Sequence, residues 1–293
     1  MRFGTGALFA AASATTYGSL GVFAKLAYAE GWNVPSLLSA RFALALLTLL
    51  PFALWARDAR GWRGAGAAYL IGAVGYASTT ALYFPSIRLL PAAVASFLLY
   101  LSPALVMLLA ALFLSERITL RGALALGLSL VGLLLLSAGA FRGTLSLPGI
   151  LLAAGSAVAF AATTVLSRNV AQRMHWARLS LMVCLGALTV YVAFSTATGQ
   201  LRVPPGGKAA LWALGIGVLA TGIPMSFFFA ALARTGATQV SVISTLEPVS
   251  TLVLAAVFLV ELPDVVGVVG GALIVGGAAL LAMEPVVPPA PHE

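Results

Sequence analysis

Two charged side chains stand apart from the rest because each lies inside a long apolar stretch. Arg41 lies near the start of one stretch, and Glu247 lies near the middle of another, directly before Pro248. An unpaired carboxylate in an apolar interior is costly, and a proline frees a backbone carbonyl that allows a helix to unwind locally. Glu247 is therefore either a binding group, which contacts a cationic ligand group or titrates with it, or a structural group that satisfies neighbouring helix atoms.

Arg41 has two interpretations as well. It lies two turns into its stretch, about 9 Å from the outer end at the rise of an α-helix. Its aliphatic stem allows it to snorkel outward and serve as a structural anchor or pairing group. Alternatively, it attracts a ligand carboxylate at an outer vestibule. An ion pair between Arg41 and Glu247 would have to bridge different depths, and we do not predict one.

Hydroxyl and aromatic side chains form a second group with binding chemistry. They recur at mid-depth of several apolar stretches, where hydroxyls bond an ammonium or a carboxylate and rings stack on an apolar side chain. The alternative is that these hydroxyls bond carbonyls of their own helix and that the rings fill the core. As a set, they predict a substrate pathway. The predicted pathway residues are Thr15, Thr16, Tyr17, Tyr76, Ser78, Thr79, Tyr83, Tyr100, Ser102, Thr163, Thr164, Phe227, Ser244 and Glu247.

The sequence does not favour an enzyme. Both histidines, His175 and His292, fall between or beyond the apolar stretches, and the single cysteine, Cys184, has no partner for a disulfide or a metal site. No paired carboxylates and no nucleotide-binding glycine-rich loop occur. We therefore expect no catalytic residue, no metal and no cofactor.

The elements that must position these residues are membrane-spanning helices. Of the 293 residues, 61% are apolar and only 8% are charged, a composition that excludes most soluble enzymes and nucleic-acid binders. A bilayer requires about 20 apolar residues per helix. Ten such stretches are predicted, in an all-α integral membrane fold, with both the bilayer and a small-molecule substrate as partners and no obligate protein partner. They cover residues 4–26, 35–55, 65–84, 91–114, 120–140, 147–167, 177–198, 209–232, 237–260 and 265–283.

Basic residues in the short connections predict the orientation. With the N-terminus in the cytoplasm, ten arginines face the cytoplasm and five basic residues face the other side. Because basic loops favour the cytoplasmic side, the net charge of +8 is interpreted as a topology signal, not as a nucleic-acid site. Both termini are expected in the cytoplasm, with a disordered proline-rich tail at residues 285–293.

The chain repeats itself at a constant offset of 145 residues. Residues 81–136 align without a gap on residues 226–281, with 16 of 56 positions identical. The shared positions include Pro103 with Pro248 and Glu116 with Glu261. The repeat predicts two units, residues 1–143 and 144–284, of five helices each. Because five is odd, the second unit enters the membrane from the opposite side, as in the inverted repeats of secondary transporters.

Three prolines inside the stretches are hinge candidates. Pro103, Pro248 and Pro224 each remove a helical hydrogen bond and permit bending. Pro103 and Pro248 occupy equivalent places in the two units, which predicts related bends that exchange during opening and closing.

Two segments carry a resemblance to a known family. Residues 81–117, "ALYFPSIRLLPAAVASFLLYLSPALVMLLAALFLSER", and residues 226–262, "SFFFAALARTGATQVSVISTLEPVSTLVLAAVFLVEL", resemble the two halves of the drug/metabolite transporter superfamily in its EamA-type branch. Ser115 stands where the family's "GER" ending has a glycine. Within the branch, the chain most resembles bacterial YddG-type exporters of aromatic and other amino acids.

The resemblance implies ten helices, alternating access and location in the bacterial inner membrane. It implies a secondary transporter that exports aromatic and other neutral amino acids. Relatives that export organic cations or drug-like metabolites share the same motifs, and this alternative stays open. Cation export would make Glu247 indispensable, whereas neutral amino acids would tolerate its replacement by glutamine.

Overall fold

A computed structural model describes residues 4–56, 61–90, 92–138, 145–258 and 264–283. Throughout these ranges the regular structure is helical, and no strand occurs. The helices are α1 (Thr5–Tyr17), α2 (Ser19–Ala29), α3 (Val34–Trp55), α4 (Ala65–Leu70), α5 (Ala77–Leu89), α6 (Ala92–Leu99), α7 (Ser102–Phe113), α8 (Leu120–Ser137), α9 (Leu147–Arg173), α10 (Trp176–Ala197), α11 (Gly207–Leu214), α12 (Ile223–Arg234), α13 (Ala237–Ile243), α14 (Leu246–Phe258) and α15 (Val265–Ala282). Glu261 and the 285–293 tail lie outside the described residues.

The helical segments are those of a multi-pass membrane protein. Within the described ranges, eight segments are long and apolar enough to cross a bilayer. The predicted third stretch is also helical, from Ala65 to Leu89, and the ninth consists of α13 and α14. Large apolar side chains lie on the outer surface, with Phe113 73% and Val265 79% exposed. Lipid is the environment in which such a surface is stable.

Polar side chains fix where several helices begin. The hydroxyl of Thr119 accepts a hydrogen bond from the Gly122 amide at 3.0 Å, at the start of α8. The carboxylate of Asp264 accepts one from the Gly267 amide at 2.7 Å, at the start of α15. Such caps satisfy amides that have no partner inside the helix. The two helices are both 18 residues long and begin 145 residues apart.

Two helical stretches contain a wider π-helical turn. Ile71–Tyr76 lies between α4 and α5, and Gly215–Gly222 lies between α11 and α12. Their glycines allow the backbone to approach a neighbouring helix: a side chain at Gly72 would collide with the Val183 carbonyl of α10, and one at Gly217 would collide with Leu44 of α3. π-Helical turns are frequent at functional sites because they redirect side chains.

Other helices are interrupted near their middle. The first stretch breaks at Gly18, between α1 and α2, and the fourth breaks at Tyr100 and Leu101, between α6 and α7. The ninth breaks at Ser244 and Thr245, between α13 and α14. Pro103 and Pro248 lie in the first turn of the helix that follows each of the latter breaks, where a proline removes no helical hydrogen bond.

Helices α8 and α15 pack backbone against backbone. A side chain at Gly132 would collide with the Gly270 carbonyl, and one at Gly277 would lie 2.6 Å from the Ala125 carbonyl oxygen. Gly132 and Gly277 are 145 residues apart, as are Ala125 and Gly270. The same contact is therefore made twice, with the partners exchanged. Small residues at such positions let helices approach closely in a membrane.

One carboxylate joins the end of α7 to the start of α13. Glu116 accepts hydrogen bonds from the Ala237 amide at 2.7 Å and the Thr238 amide at 3.1 Å. Ser115, just before it, has a positive φ of 55°. This backbone conformation favours glycine, which agrees with the glycine that the family motif has at this position. The turn points the Glu116 carboxylate at the free amides of α13.

Candidate functional site

Arg41 is the centre of the first polar cluster. Its side chain, on α3, is only 2% exposed. The Nε group donates a hydrogen bond to the Thr221 hydroxyl at 2.7 Å, and one terminal nitrogen reaches the Tyr76 hydroxyl at 3.5 Å. The Arg41 side chain therefore points inward, toward both π-helical turns. It does not snorkel to the surface.

The wider turn in Gly215–Gly222 explains the position of Thr221. The Thr221 hydroxyl donates to the carbonyl of Ile216, five residues earlier, at 2.8 Å. That proton is therefore used within the helix, and the oxygen lone pairs face the guanidinium of Arg41. Thr221 thus orients the arginine.

Aromatic rings surround the same cluster. The hydroxyls of Tyr17 and Tyr76 lie 3.4 Å apart. The Phe42 ring packs edge-to-face against Tyr76 and stacks on Tyr191, with centroid distances of 5.8 Å in both pairs. The Tyr191 hydroxyl donates to the Ala77 carbonyl at 3.0 Å. Tyr17 and Tyr76 are both half-buried.

Glu247 is the centre of the second polar cluster. It lies in the first turn of α14 and is half-buried. The Tyr100 hydroxyl, at the break between α6 and α7, lies close to the Glu247 carboxyl group. Tyr83 is a further neighbour of Glu247. The Tyr83 hydroxyl lies 2.8 Å from the Ser96 hydroxyl. Two tyrosines and a serine therefore accompany this carboxyl group.

Gly18 connects the two clusters. A side chain there would lie 2.9 Å from the Glu247 carbonyl oxygen, so only glycine lets α14 approach so closely. The Thr251 hydroxyl of α14 donates to the Gly18 carbonyl at 2.9 Å. Gly18 directly follows Tyr17 of the first cluster. Arg41 and Glu247 lie within electrostatic range of each other, but they do not form a direct ion pair.

The structure brings five of the predicted pathway residues into these two clusters: Tyr17, Tyr76, Tyr83, Tyr100 and Glu247. Other predicted hydroxyls bond the carbonyls of their own helix, as the alternative interpretation expects. Those residues are Thr15, Thr16, Thr79, Thr163 and Ser244.

The remaining predicted pathway residues make packing contacts or lie beside the clusters. Ser102 and Thr164 are buried, and Ser78 is half-buried. The Phe227 ring stacks on Phe9, with centroids 5.8 Å apart. The hinge candidate Pro224 accepts a hydrogen bond on its carbonyl from the buried Ser13 hydroxyl at 2.8 Å.

Four residues of the two clusters were not predicted from the sequence: Thr221, Phe42, Ser96 and Tyr191. For Thr221 a signal existed, because it follows Tyr76 by the repeat offset of 145 residues. The other three lie in apolar surroundings where nothing in the sequence separates a site residue from a core residue. Among the described residues, no group of three histidine, cysteine or acidic side chains is placed to hold a metal ion.

The chain matches the EamA-like transporter family twice, over residues 4–138 and 147–283. It is 28% identical to an uncharacterised transporter of Archaeoglobus fulgidus over 289 residues, which cover 97% of this chain and 98% of the relative. It is 24% identical to the uncharacterised transporter YdfC of Bacillus subtilis, covering 87% and 84% of the two chains.

The fold has a solved counterpart. A protein in a crystal structure superposes with a TM-score of 0.81 at 25% identity, covering 95% of this chain and 96% of the other. Family and relatives both indicate a transporter and not an enzyme. The two family matches together span nearly the whole sequence, and the chain belongs to the EamA-like transporter family.

Proposed function

We propose that this protein is a secondary transporter that exports amino acids, aromatic and other neutral ones, across the bacterial inner membrane. The observation that carries the proposal is the pair of polar clusters around Arg41 and Glu247. They combine a cation, a carboxyl group and four half-buried tyrosines between helices of both family matches. Such a setting offers partners for a carboxylate, an ammonium and an apolar side chain.

The proposed architecture is ten membrane spans in two inverted five-helix repeats, residues 1–143 and 144–284. Two family matches of similar length support two units. Helices α3 and α10 are both 22 residues long, and the exchanged glycine contacts of α8 and α15 fit a two-fold axis between the units. An odd number of spans per unit then gives opposite orientations, and the arginine distribution favours cytoplasmic termini.

The proposed transport cycle is alternating access. The breaks at Tyr100–Leu101 and Ser244–Thr245 lie in equivalent helices of the two units and directly adjoin the Glu247 cluster. A broken helix bends without losing further hydrogen bonds, so Pro103 and Pro248, which follow the two breaks, are assigned as hinge residues. Pro224, in the first turn of α12 after the π-helical turn Gly215–Gly222, is assigned as the third. Bending of α6 and α7 at their break closes the site on one side of the membrane. Bending of α13 and α14 at the equivalent break opens the site on the other side.

A second candidate function is export of organic cations. Glu247 with Tyr83 and Tyr100 forms an acidic site with aromatic neighbours, which is suited to a quaternary ammonium group. This function leaves the buried guanidinium of Arg41 without a ligand partner. The amino-acid proposal uses both charges and is preferred for that reason.

The test is uptake by purified protein reconstituted into liposomes. Radiolabelled phenylalanine, threonine and a quaternary ammonium compound are compared with and without a pH gradient. Saturable phenylalanine uptake in the absence of a gradient supports an amino-acid facilitator. Absence of amino-acid flux, together with cation flux that is lost in Glu247→Gln, would contradict the proposal and favour the cation exporter.

A further inference from the structure

Arg41 has unused hydrogen-bonding capacity inside the protein. A guanidinium carries five N–H donors. In the described part of the chain, Arg41 donates hydrogen bonds to Thr221 and Tyr76 and lies over the Phe42 ring at 5.2 Å, and no carboxylate contacts it. A buried cation is stabilised when a carboxylate binds it, and a planar guanidinium binds carboxylates in a bidentate manner. The missing partner is therefore an anion.

Glu247 has unused capacity of the opposite kind. A carboxylate accepts about four hydrogen bonds. Only the Tyr100 hydroxyl is a close polar neighbour of the Glu247 carboxyl group among the described residues, and Glu247 remains half-buried. An ammonium group supplies three donors together with the opposite charge.

A short series of contacts leads from one charge to the other. It runs from the Arg41 guanidinium to the Tyr76 hydroxyl at 3.5 Å, and on to the Tyr17 hydroxyl at 3.4 Å. Gly18, the next residue after Tyr17, contacts the backbone of Glu247. The two charged residues are thus connected through Tyr76, Tyr17 and Gly18. They do not meet, as the partners of a purely structural ion pair would.

Neither charge is required by the repeated architecture. Glu247 corresponds to Ser102 at the 145-residue offset. The Arg41 carbonyl faces Gly217 of one π-helical segment, and the Val183 carbonyl faces the equivalent Gly72 of the other, so Val183 is the counterpart of Arg41. One unit supplies the cation and the other supplies the acid, and each counterpart is uncharged.

From these observations, and resting on the proposed transport of amino acids, we propose that Arg41 and Glu247 are the two ends of one site that selects zwitterions. The substrate carboxylate binds the Arg41 guanidinium beside the Tyr76 hydroxyl. The substrate ammonium binds Glu247 beside the Tyr100 hydroxyl. The apolar side chain of the substrate lies against the tyrosine rings between them. Free α-amino acids satisfy both ends, whereas molecules with one charge leave the other end unpaired.

The experiment is competition against radiolabelled phenylalanine uptake in proteoliposomes. Unlabelled phenylalanine is compared with phenylalanine amide, which lacks the carboxylate, and with N-acetylphenylalanine, which lacks the ammonium. We expect each analogue to inhibit at least about tenfold more weakly than phenylalanine, because a site built for a polar group rejects ligands without it. Equal inhibition by all three would overturn the zwitterion site while leaving amino-acid transport intact.

Three variants identify which residue binds which charged group of the substrate. Arg41→Gln is expected to weaken phenylalanine inhibition toward that of the amide, so that the two differ by less than about threefold. Glu247→Gln is expected to do the same for N-acetylphenylalanine. Arg41→Lys, which keeps the charge, is expected to retain part of the discrimination. Unchanged discrimination in both glutamine variants would overturn the assignment.

The outcomes separate this inference from the proposed function. Absence of phenylalanine and threonine flux in the unmodified protein contradicts the proposed function itself. If a glutamine variant does not fold, as judged by gel filtration, the analogue series on the unmodified protein still decides whether both charged ends of the substrate are recognised.

Discussion

Tyr76 and Thr221 lie 145 residues apart and both contact the guanidinium of Arg41. Each lies in or at the end of a π-helical turn, so the same local feature occurs on two sides of one arginine. The repeat thus provides a pair of equivalent supports, and the single charge between them breaks the symmetry.

The Thr221 hydroxyl is expected to stabilise the fold through Arg41. In Thr221→Val, the guanidinium loses its 2.7 Å acceptor in a buried position, which should cost about 1–3 kcal/mol of stability. Thermal unfolding of the purified protein in detergent measures the change. The matched control is Thr196→Val, whose exposed hydroxyl bonds only its own helix and whose loss should cost under about 0.5 kcal/mol. Equal melting temperatures for the two variants would refute the role of Thr221.

The backbone contact between α8 and α15 predicts opposite effects for two glycines of one helix. Gly132→Ala places a methyl group against the Gly270 carbonyl and should destabilise by about 1–3 kcal/mol. Gly127→Ala meets nothing within 4 Å and should be neutral or stabilising by up to about 1 kcal/mol.

The same comparison applies on the partner helix. Gly277→Ala should destabilise through the Ala125 carbonyl, whereas Gly276→Ala, also in open space, should not. Thermal unfolding of all four variants measures the effects. A destabilised Gly127 variant beside an unaffected Gly132 variant is incompatible with this packing.

Ser115→Gly is expected to stabilise the protein. Ser115 has a φ of 55°, a conformation that glycine adopts without strain, and the gain should be about 1 kcal/mol. Ala111→Gly, in the interior of α7, is the control and should cost about 1 kcal/mol. A lower melting temperature for Ser115→Gly than for the unmodified protein would show that the turn does not have this geometry.

Glu116 is expected to hold the start of α13 in place. Glu116→Ala removes both acceptors from the Ala237 and Thr238 amides and should cost about 0.5–2 kcal/mol. Glu116→Gln keeps one acceptor oxygen and should lose less. Glu30→Ala, at an exposed position, is the control with no expected effect. Thermal unfolding ranks the three variants. An unchanged melting temperature for Glu116→Ala would argue against the capping role of Glu116.

Much of the fold could be predicted from the sequence. The apolar stretches agree with the helices because lipid requires long apolar helices whatever their packing. The 145-residue offset predicted related bends at Pro103 and Pro248 through lost helical hydrogen bonds; instead, each proline lies in the first turn after a helix break, where it removes no such bond. Boundaries differ by several residues at the first stretch, which the sequence analysis ended at Leu26 and which extends to Ala29 with a break at Gly18.

The site was predicted less completely. The tyrosines and the two charges were found, since polar side chains are rare in such spans. The direction of Arg41 was not predictable, because it depends on Thr221, which lies 180 residues away in the chain. The hydroxyls of Thr15 and Thr79 bond their own helices, and only the structure separates such hydroxyls from those in the clusters.

The central claim is that one polar centre, shared by both halves, opens to each side of the membrane in turn. Ser96→Cys in a Cys184→Ala background places a small thiol beside Tyr83 without removing either charge. A membrane-impermeant thiol reagent is applied to right-side-out and to inverted vesicles, with and without saturating phenylalanine. The account predicts labelling from both sides, with phenylalanine slowing both reactions. Labelling from one side only, at a rate that phenylalanine does not change, would contradict it.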